Sequence, residues 1–183
     1  APGLDTPDGI VPGGILHVHG GLARVHFNAG SEEAARRELA SFESAYRRLD
    51  ETEWLWRIPA VAAINECLPA LGGKALVETI YREVARDGPV RYSWINAQGF
   101  DRIRGALALR LDLIDEAEQH YRVGLEWSER ERCPVEQGRC LQGLAEIAER
   151  RDNQPEATRC LHRAAALFQE HGAQLYLRQV LAK

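Results

Sequence analysis

Residues 105–124 read GALALRLDLIDEAEQHYRVG. The stretch predicts two helices joined by a tight turn at residues 111–114. Small residues occupy its first position and offsets +3, +12 and +19, while Tyr121 stands at +16. Small side chains at these offsets allow two antiparallel helices to approach closely around one large residue. Asp115 is placed to cap the second helix, and Glu118, three residues later, would complete a capping box.

The same spacing of small and large residues recurs along the chain. The residues that open each unit are Ala23, Asn65, Gly105 and Ala145, which follow one another at nearly equal intervals. The second unit is the most degenerate, because Asn65 is larger than alanine and its +12 position is Val77. A nearly constant period of about 40 residues indicates a repeat architecture, in which each unit buries its apolar face against its neighbours.

Breaker residues and helical periodicity divide the chain further. Residues 1–14 contain three prolines and four glycines, which predicts a flexible tail or linker. Residues 15–183 are predicted to form the helical domain, with a first helix from Ile15 to the break at Gly30 and a second helix capped by Ser31. The later predicted helices cover residues 53–71, 75–86, 93–111, 115–130, 135–150, 156–170 and 173–181.

Proline complicates only the third of these helices. Because Pro59 and Pro69 lie inside the pattern, the helix has an alternative start near Ile58. No stretch alternates with a period of two, as a half-buried strand would. The predicted fold class is therefore all-α.

Length and composition narrow the class of protein. The chain has 183 residues, of which 45% are hydrophobic, and a formal net charge of −4. We expect one soluble domain or an array sharing one core, and the acidic balance argues against direct nucleic-acid contact. The sequence predicts neither a membrane span nor a secretory signal. Its four cysteines lack a CxxC motif, which favours reduced, buried thiols and a cytoplasmic location. The start at Ala1 and the lack of methionine indicate a piece of a longer protein.

The pattern resembles the tetratricopeptide repeat, a helix-turn-helix unit of about 34 residues. The matching residues are Gly105, Ala108, Ala117, Tyr121 and Gly124, then Ala145, Ala148, Ala157, Leu161 and Ala164. The longer period, and the phrases at residues 88–92, 108–118 and 171–173, are similar to the C-terminal repeat arrays of bacterial signalling proteins. These proteins include LuxR-type ATP-binding regulators and ATPase-fused nucleotide cyclases. The usual tryptophan and closing proline of the repeat are not in place.

This resemblance implies a superhelical array of about four antiparallel helix pairs plus a final helix, which binds partners rather than catalysing a reaction. The first helix of each pair would line a concave groove. The groove residues predicted on this basis are Arg24, Asn28, Arg102, Leu109, Arg110, Arg139, Gln142, Glu146 and Arg150. Arginine forks suit carboxylates and phosphates, so the expected partner is a protein or peptide segment, including another domain of the parent chain.

Three alternatives remain open at this point. The arginines could be solvated charges on exposed helix faces. The domain could instead sense a small-molecule effector and switch an attached ATPase, cyclase or DNA-binding domain. An enzyme would require a closed pocket of partly buried ionisable groups, which nothing in the sequence predicts.

Histidine and tryptophan pairs add little to this prediction. His17 and His19 are two residues apart, which places them on different helix faces, and His26 occupies a packed position of the repeat. We therefore expect no metal ion and no other cofactor. Trp54 and Trp56 have the same two-residue spacing, so one is expected at a groove wall or joint, although core packing is the favoured reading for these aromatics.

Overall fold

The computed structural model describes residues 12–49, 54–86, 92–93 and 98–182, with side chains at 14–49, 59–85 and 99–182. These residues are helical apart from turns and one two-stranded antiparallel bridge. The elements are α1 (Pro12–Asn28), α2 (Glu32–Tyr46), α3 (Trp54–Ile64), α4 (Cys67–Leu71), α5 (Lys74–Arg86), β1 (Tyr92–Ser93), β2 (Gln98–Gly99), α6 (Phe100–Arg110), α7 (Ile114–Arg130), α8 (Pro134–Arg150), α9 (Gln154–Glu170) and α10 (Gln174–Leu181). The all-helical class agrees with the sequence prediction.

Two compact units make up the chain, the first ending at Glu83 and the second beginning at Val84. In the first unit, α1 packs on α2 and α3, and α2 packs on α4. In the second, each helix from α6 to α10 packs on the next, and α6 also contacts α8. The extent of a single repeat domain over residues 15–183 stays a prediction. Residues 1–11 of the predicted tail lie outside the described residues.

One turn geometry joins the helices of the second unit. Asp112, Arg132, Asp152 and Gly172 follow one another at equal intervals, and each adopts a positive φ, of 64°, 56°, 56° and 68° respectively. In every case the next residue donates its N–H to the carbonyl five residues back, for example Leu113 to Ala108 at 3.0 Å. Such left-handed caps satisfy the last carbonyls of a helix. Because a helix pair contains two of these turns, their even spacing agrees with the interval between Gly105 and Ala145 in the second unit.

The same turn corrects the predicted start of α7. Leu113 is the N-cap and α7 begins at Ile114, with no side-chain cap hydrogen bond. Asp115 and Glu118 therefore form no capping box, and both carboxylates instead contact Arg151 at 2.6 Å. Because the left-handed residue reverses the chain in one step, the helix starts earlier than the sequence suggests. Asp115 remains in its first turn, where a negative charge is favourable.

Other helix boundaries also differ from the prediction. The fifth predicted helix was to begin at Ser93, but Ser93 pairs with Gln98 in the bridge and α6 begins at Phe100. The first helix begins three residues early, at Pro12, because proline suits the first position of a helix, whose N–H needs no helical partner.

The predicted helix at residues 53–71 is split into α3 and α4. It begins at Trp54, so the alternative start at Ile58 is wrong, and Pro59 lies inside α3. The split falls at Asn65, whose side-chain amide donates to the Ala62 carbonyl at 2.5 Å. Pro69, four residues later, has no N–H to continue the backbone ladder at that point.

Tyr121 fills a space that glycines open between α6, α7 and α8. An added Cβ at Gly105 would lie 2.9 Å from Tyr121 Cγ, and one at Gly143 would lie 2.2 Å from Tyr121 Cζ. The close approach around one large residue, predicted from Gly105 and Tyr121, is confirmed, and Gly143 adds a third side to it. Among the described residues, no helix combines the length and apolar character needed to cross a bilayer.

Candidate binding groove

The predicted groove residues do not share one environment. Arg24 is half-buried and Asn28 is exposed on α1. Arg102 and Leu109 are each only 4% exposed, and the side chain of Arg139 is 9% exposed. Gln142 and Glu146 are half-buried, and Arg110 and Arg150 are exposed. The first two belong to the first unit and the others to the second. A binding role for the exposed members stays a prediction, whereas the buried ones pack inside the second unit.

Arg102 belongs to a buried ion cluster with Glu136 and Arg139. Its Nε donates to Glu136 Oε2 at 2.7 Å, and the two side chains are 5% and 8% exposed. Arg139 approaches the other carboxylate oxygen at 3.5 Å and stacks over the Tyr176 ring at 4.9 Å. Burial opposes the charge of Arg102, but Glu136 beside it holds the arginine pKa above its usual value. The predicted role of Arg102 as a groove clamp is therefore corrected, because it joins α6 to α8.

A second buried pair lies close by on α6. Arg104 donates to Asp101 Oδ1 at 3.1 Å and to the Val84 carbonyl at 2.8 Å. His120 Nδ1 stands 4.0 Å from the same Asp101 oxygen. Burial lowers the pKa of His120, and the nearby positive charge of Arg104 lowers it further. The imidazole is consequently neutral in the folded protein at neutral pH.

This lowered pKa predicts that stability will fall in mild acid. Because unfolded His120 has the ordinary pKa of 6.5, it takes up its proton more readily than folded His120 does. The stability that neutral His120 contributes is thus complete above pH 6.5, and it is lost progressively as the pH falls below that value. We expect the urea midpoint to drop less between pH 7.5 and 5.5 in His120→Gln than in the wild type. Equal drops in both proteins would contradict this assignment.

Among the described residues of the second unit, a groove of about 370 Å³ lies between α7, α8 and α9. Its floor is apolar, and the floor residues are Leu125, Leu141, Leu144, Ile147 and Ala148. Its walls carry four arginines, Arg122, Arg151, Arg159 and Arg163, and two glutamates, Glu118 and Glu156. We call this feature the arginine groove.

Carboxylates hold every arginine of the arginine groove in place. Glu118 contacts Arg122 at 2.5 Å and Arg151 at 2.6 Å. Glu156 holds Arg159 by two parallel bonds of 2.6 and 2.9 Å. Arg163 pairs with Glu129 at 3.4 Å. The four arginine side chains are between 40% and 67% exposed, so a dissolved ligand can reach them.

The arginine groove lies on the opposite face of α8 from the predicted one. Leu141, Leu144 and Ala148 line the arginine groove, whereas the predicted groove contains Gln142 and Glu146. Gln142 and Glu146 each lie two positions from Leu144, which is about 200° around the helix. The prediction did not include its arginines because it placed the groove on the first helix of each pair, whereas Arg122, Arg159 and Arg163 lie on second helices. The pair Arg159 and Arg163, four residues apart on α9, was the available signal.

The cysteines and the pairs considered for metal binding have other environments. Cys67, Cys140 and Cys160 are buried, Cys133 is half-buried, and burial raises the pKa of Cys67 and Cys140 to about 12. His19 contacts Glu38 at 2.6 Å. Within the part of the chain that the structure describes, no three His, Cys, Asp or Glu residues gather as metal ligands. The side chains of Trp54 and Trp56 lie outside the described residues.

Comparison with known proteins assigns no function to the chain, so the proposal below depends on the geometry. The chain matches no protein-family model and no curated protein.

Proposed function

We propose that the chain is a non-catalytic, tetratricopeptide-like helical-repeat module that binds a segment of a partner polypeptide. The even spacing of the left-handed turns and the packing of each helix on the next support a solenoid of antiparallel pairs. Ion pairs also link helices about one repeat apart, such as Arg102 with Glu136 and Arg163 with Glu129. Repeat arrays of this kind present extended surfaces that suit polypeptide ligands.

The arginine groove is the observation that carries the proposal. An apolar floor bordered by a few polar groups is the usual composition of a ligand site, with the apolar part giving affinity and the polar part orientation. Its volume of about 370 Å³ accommodates a few side chains rather than a folded domain. A short segment with an acidic group beside aliphatic side chains matches both parts of the groove.

Within a larger bacterial signalling or transcription-regulating protein, such a module would act in the cytoplasm. Capture of a partner segment, or of a segment from another domain of the parent chain, would expose or mask a surface of an attached ATPase, cyclase or DNA-binding domain. The resemblance of the repeat pattern to the arrays of LuxR-type regulators and ATPase-fused cyclases supports this context.

Selection of random peptides displayed on phage tests the proposal. We expect selected peptides to lose at least about tenfold in affinity for Leu144→Glu, because the variant places a charge on the apolar floor. Gln142→Glu makes the same charge change on the opposite face of α8 and should bind normally. Circular dichroism melts check that both variants fold, and Arg159→Glu provides a second, exposed groove variant. Peptides that bind all four proteins equally would contradict the groove as the site.

A small-molecule effector is the second candidate, and the size of the groove favours it. Drug-sized ligands occupy pockets of about 300 to 1,000 Å³, a range that includes this volume. A thermal-shift screen of the wild type and the same variants against anionic metabolites tests this second candidate. Stabilisation by a metabolite that Leu144→Glu abolishes, together with no selected peptide, would replace the peptide proposal with effector sensing.

A further inference from the structure

The walls of the arginine groove bring four guanidinium groups together around one apolar floor. Two glutamates line the same walls, and Asp115 and Glu129 pair with Arg151 and Arg163 from beside them. Each guanidinium group is therefore already paired, so an incoming anion must displace a resident carboxylate.

An incoming ligand must displace the Glu156 carboxylate from Arg159, and this requirement distinguishes a carboxylate ligand from a phosphate. Arg159 already holds the Glu156 carboxylate through both of its fork bonds. A ligand carboxylate that replaced Glu156 would re-form the same two bonds and gain little. A phosphate monoester carries up to about two negative charges and three acceptor oxygens, so it can engage a second guanidinium group while it replaces the first pairing.

The second guanidinium group is that of Arg122, which lines the same groove and is paired with Glu118 at 2.5 Å. The hydrogen bond from Arg159 lowers the pKa of Glu156 most, and the positive charge of Arg122 across the groove lowers it as well. A phosphate in the position of the Glu156 carboxylate would therefore lie in the field of both arginines. It would also lie beside the first turn of α9, a helix of 17 residues whose N-terminus favours an anion.

The apolar floor indicates what carries the phosphate. Leu141, Leu144 and Ile147 lie below the arginines and would remain uncovered under inorganic phosphate alone. Aliphatic neighbours of a phosphorylated residue would cover them and remove apolar surface from water.

We propose that the arginine groove binds a phosphorylated segment of a partner polypeptide, with the phosphate between Arg122 and Arg159 and aliphatic side chains on the floor. This inference rests on the proposed function, since it names the chemistry of the segment that the module captures.

Titration calorimetry of the 183-residue chain tests it with a short peptide that carries one phosphoserine between two leucines. The matched ligands are the unphosphorylated peptide, the peptide with glutamate in place of phosphoserine, and inorganic phosphate. We expect the phosphopeptide to bind at least about tenfold more tightly than any of the three. Arg159→Gln should lose at least about tenfold for the phosphopeptide alone, and Arg178→Gln on α10, outside the groove, should not.

Glu156→Gln is expected to have the opposite effect to Arg159→Gln. It removes the resident carboxylate, so the phosphopeptide should bind this variant more tightly than the wild type. Equal affinity for the phosphorylated and glutamate peptides would overturn the phosphate inference and leave peptide binding intact. Inorganic phosphate that binds as tightly as the phosphopeptide would also overturn it. If no peptide binds and random selection yields none sensitive to Leu144→Glu, the proposed function itself fails.

Discussion

Glu136→Gln will lower the free energy of unfolding of the second unit by about 3 to 5 kcal/mol, which is the usual cost of breaking a buried ion pair. The Glu136 carboxylate contacts two arginines, and the side chains of Arg102 and Arg139 are 5% and 9% exposed. A neutral amide removes the negative charge that both buried guanidinium groups contact. Neither can escape by losing its proton, since arginine stays protonated in proteins.

The matched control is Glu146→Gln on the same helix. Glu146 also pairs with an arginine, Arg150, at 3.1 Å, but its side chain is 42% exposed. Exposed pairs contribute at most about 1 kcal/mol, so this variant should be nearly as stable as the wild type. Urea unfolding, monitored by hydrogen exchange of peptides from α6 and α8, compares the stability of the two variants. Equal losses would mean that the buried ion cluster does not hold α6 against α8.

Gly143→Ala is expected to be the second strongly destabilised variant. An added Cβ would stand 2.2 Å from Tyr121 Cζ and within 2.5 Å of two further ring atoms. Because Tyr121 also abuts Gly105 on α6, its ring cannot move aside without opening the core. Overpacking of this kind costs about 1 to 3 kcal/mol, and sometimes more.

Gly21→Ala on α1 makes the same substitution where nothing lies within 4 Å of the added atom. It should stabilise the first unit by up to about 1 kcal/mol, because alanine is the better helix former. The double variant Gly143→Ala with Tyr121→Leu should recover part of the loss, since the smaller side chain removes the clash. A Gly143→Ala protein that melts at the wild-type temperature would contradict the description of this packing.

The sequence was sufficient to predict the helical class, most of the helices and the contact between Gly105 and Tyr121. These predictions depend on local features, namely helical periodicity and small residues at fixed offsets. Three of the left-handed caps could not be predicted from the sequence. Asp112, Arg132 and Asp152 are ordinary polar residues there, and only the fold holds their φ positive. Among the four left-handed turns that the structure describes in the second unit, only the one at Gly172 carries the glycine that marks such a turn.

Arg102 shows why the predicted groove failed in part. Nine of the 11 residues of α6 are buried, so the helix has no wide polar face on which an arginine could be placed. Its neutralising partner is Glu136, 34 residues further along, and no local pattern announces a pairing at that distance. The arginine groove was missed for a related reason, since its walls come from helices that are neighbours only after α8 has packed between them.

Mapping a selected peptide onto the protein tests the central claim most directly. Amide chemical shifts of the labelled chain, recorded with and without a peptide from the random selection, show where it binds. We predict shifts concentrated at groove positions such as Leu125, Leu144, Arg159 and Arg163, and absent from the Leu144→Glu variant. Shifts that instead cluster on the other face of α8, at Gln142 and Glu146, would contradict the arginine groove as the binding site.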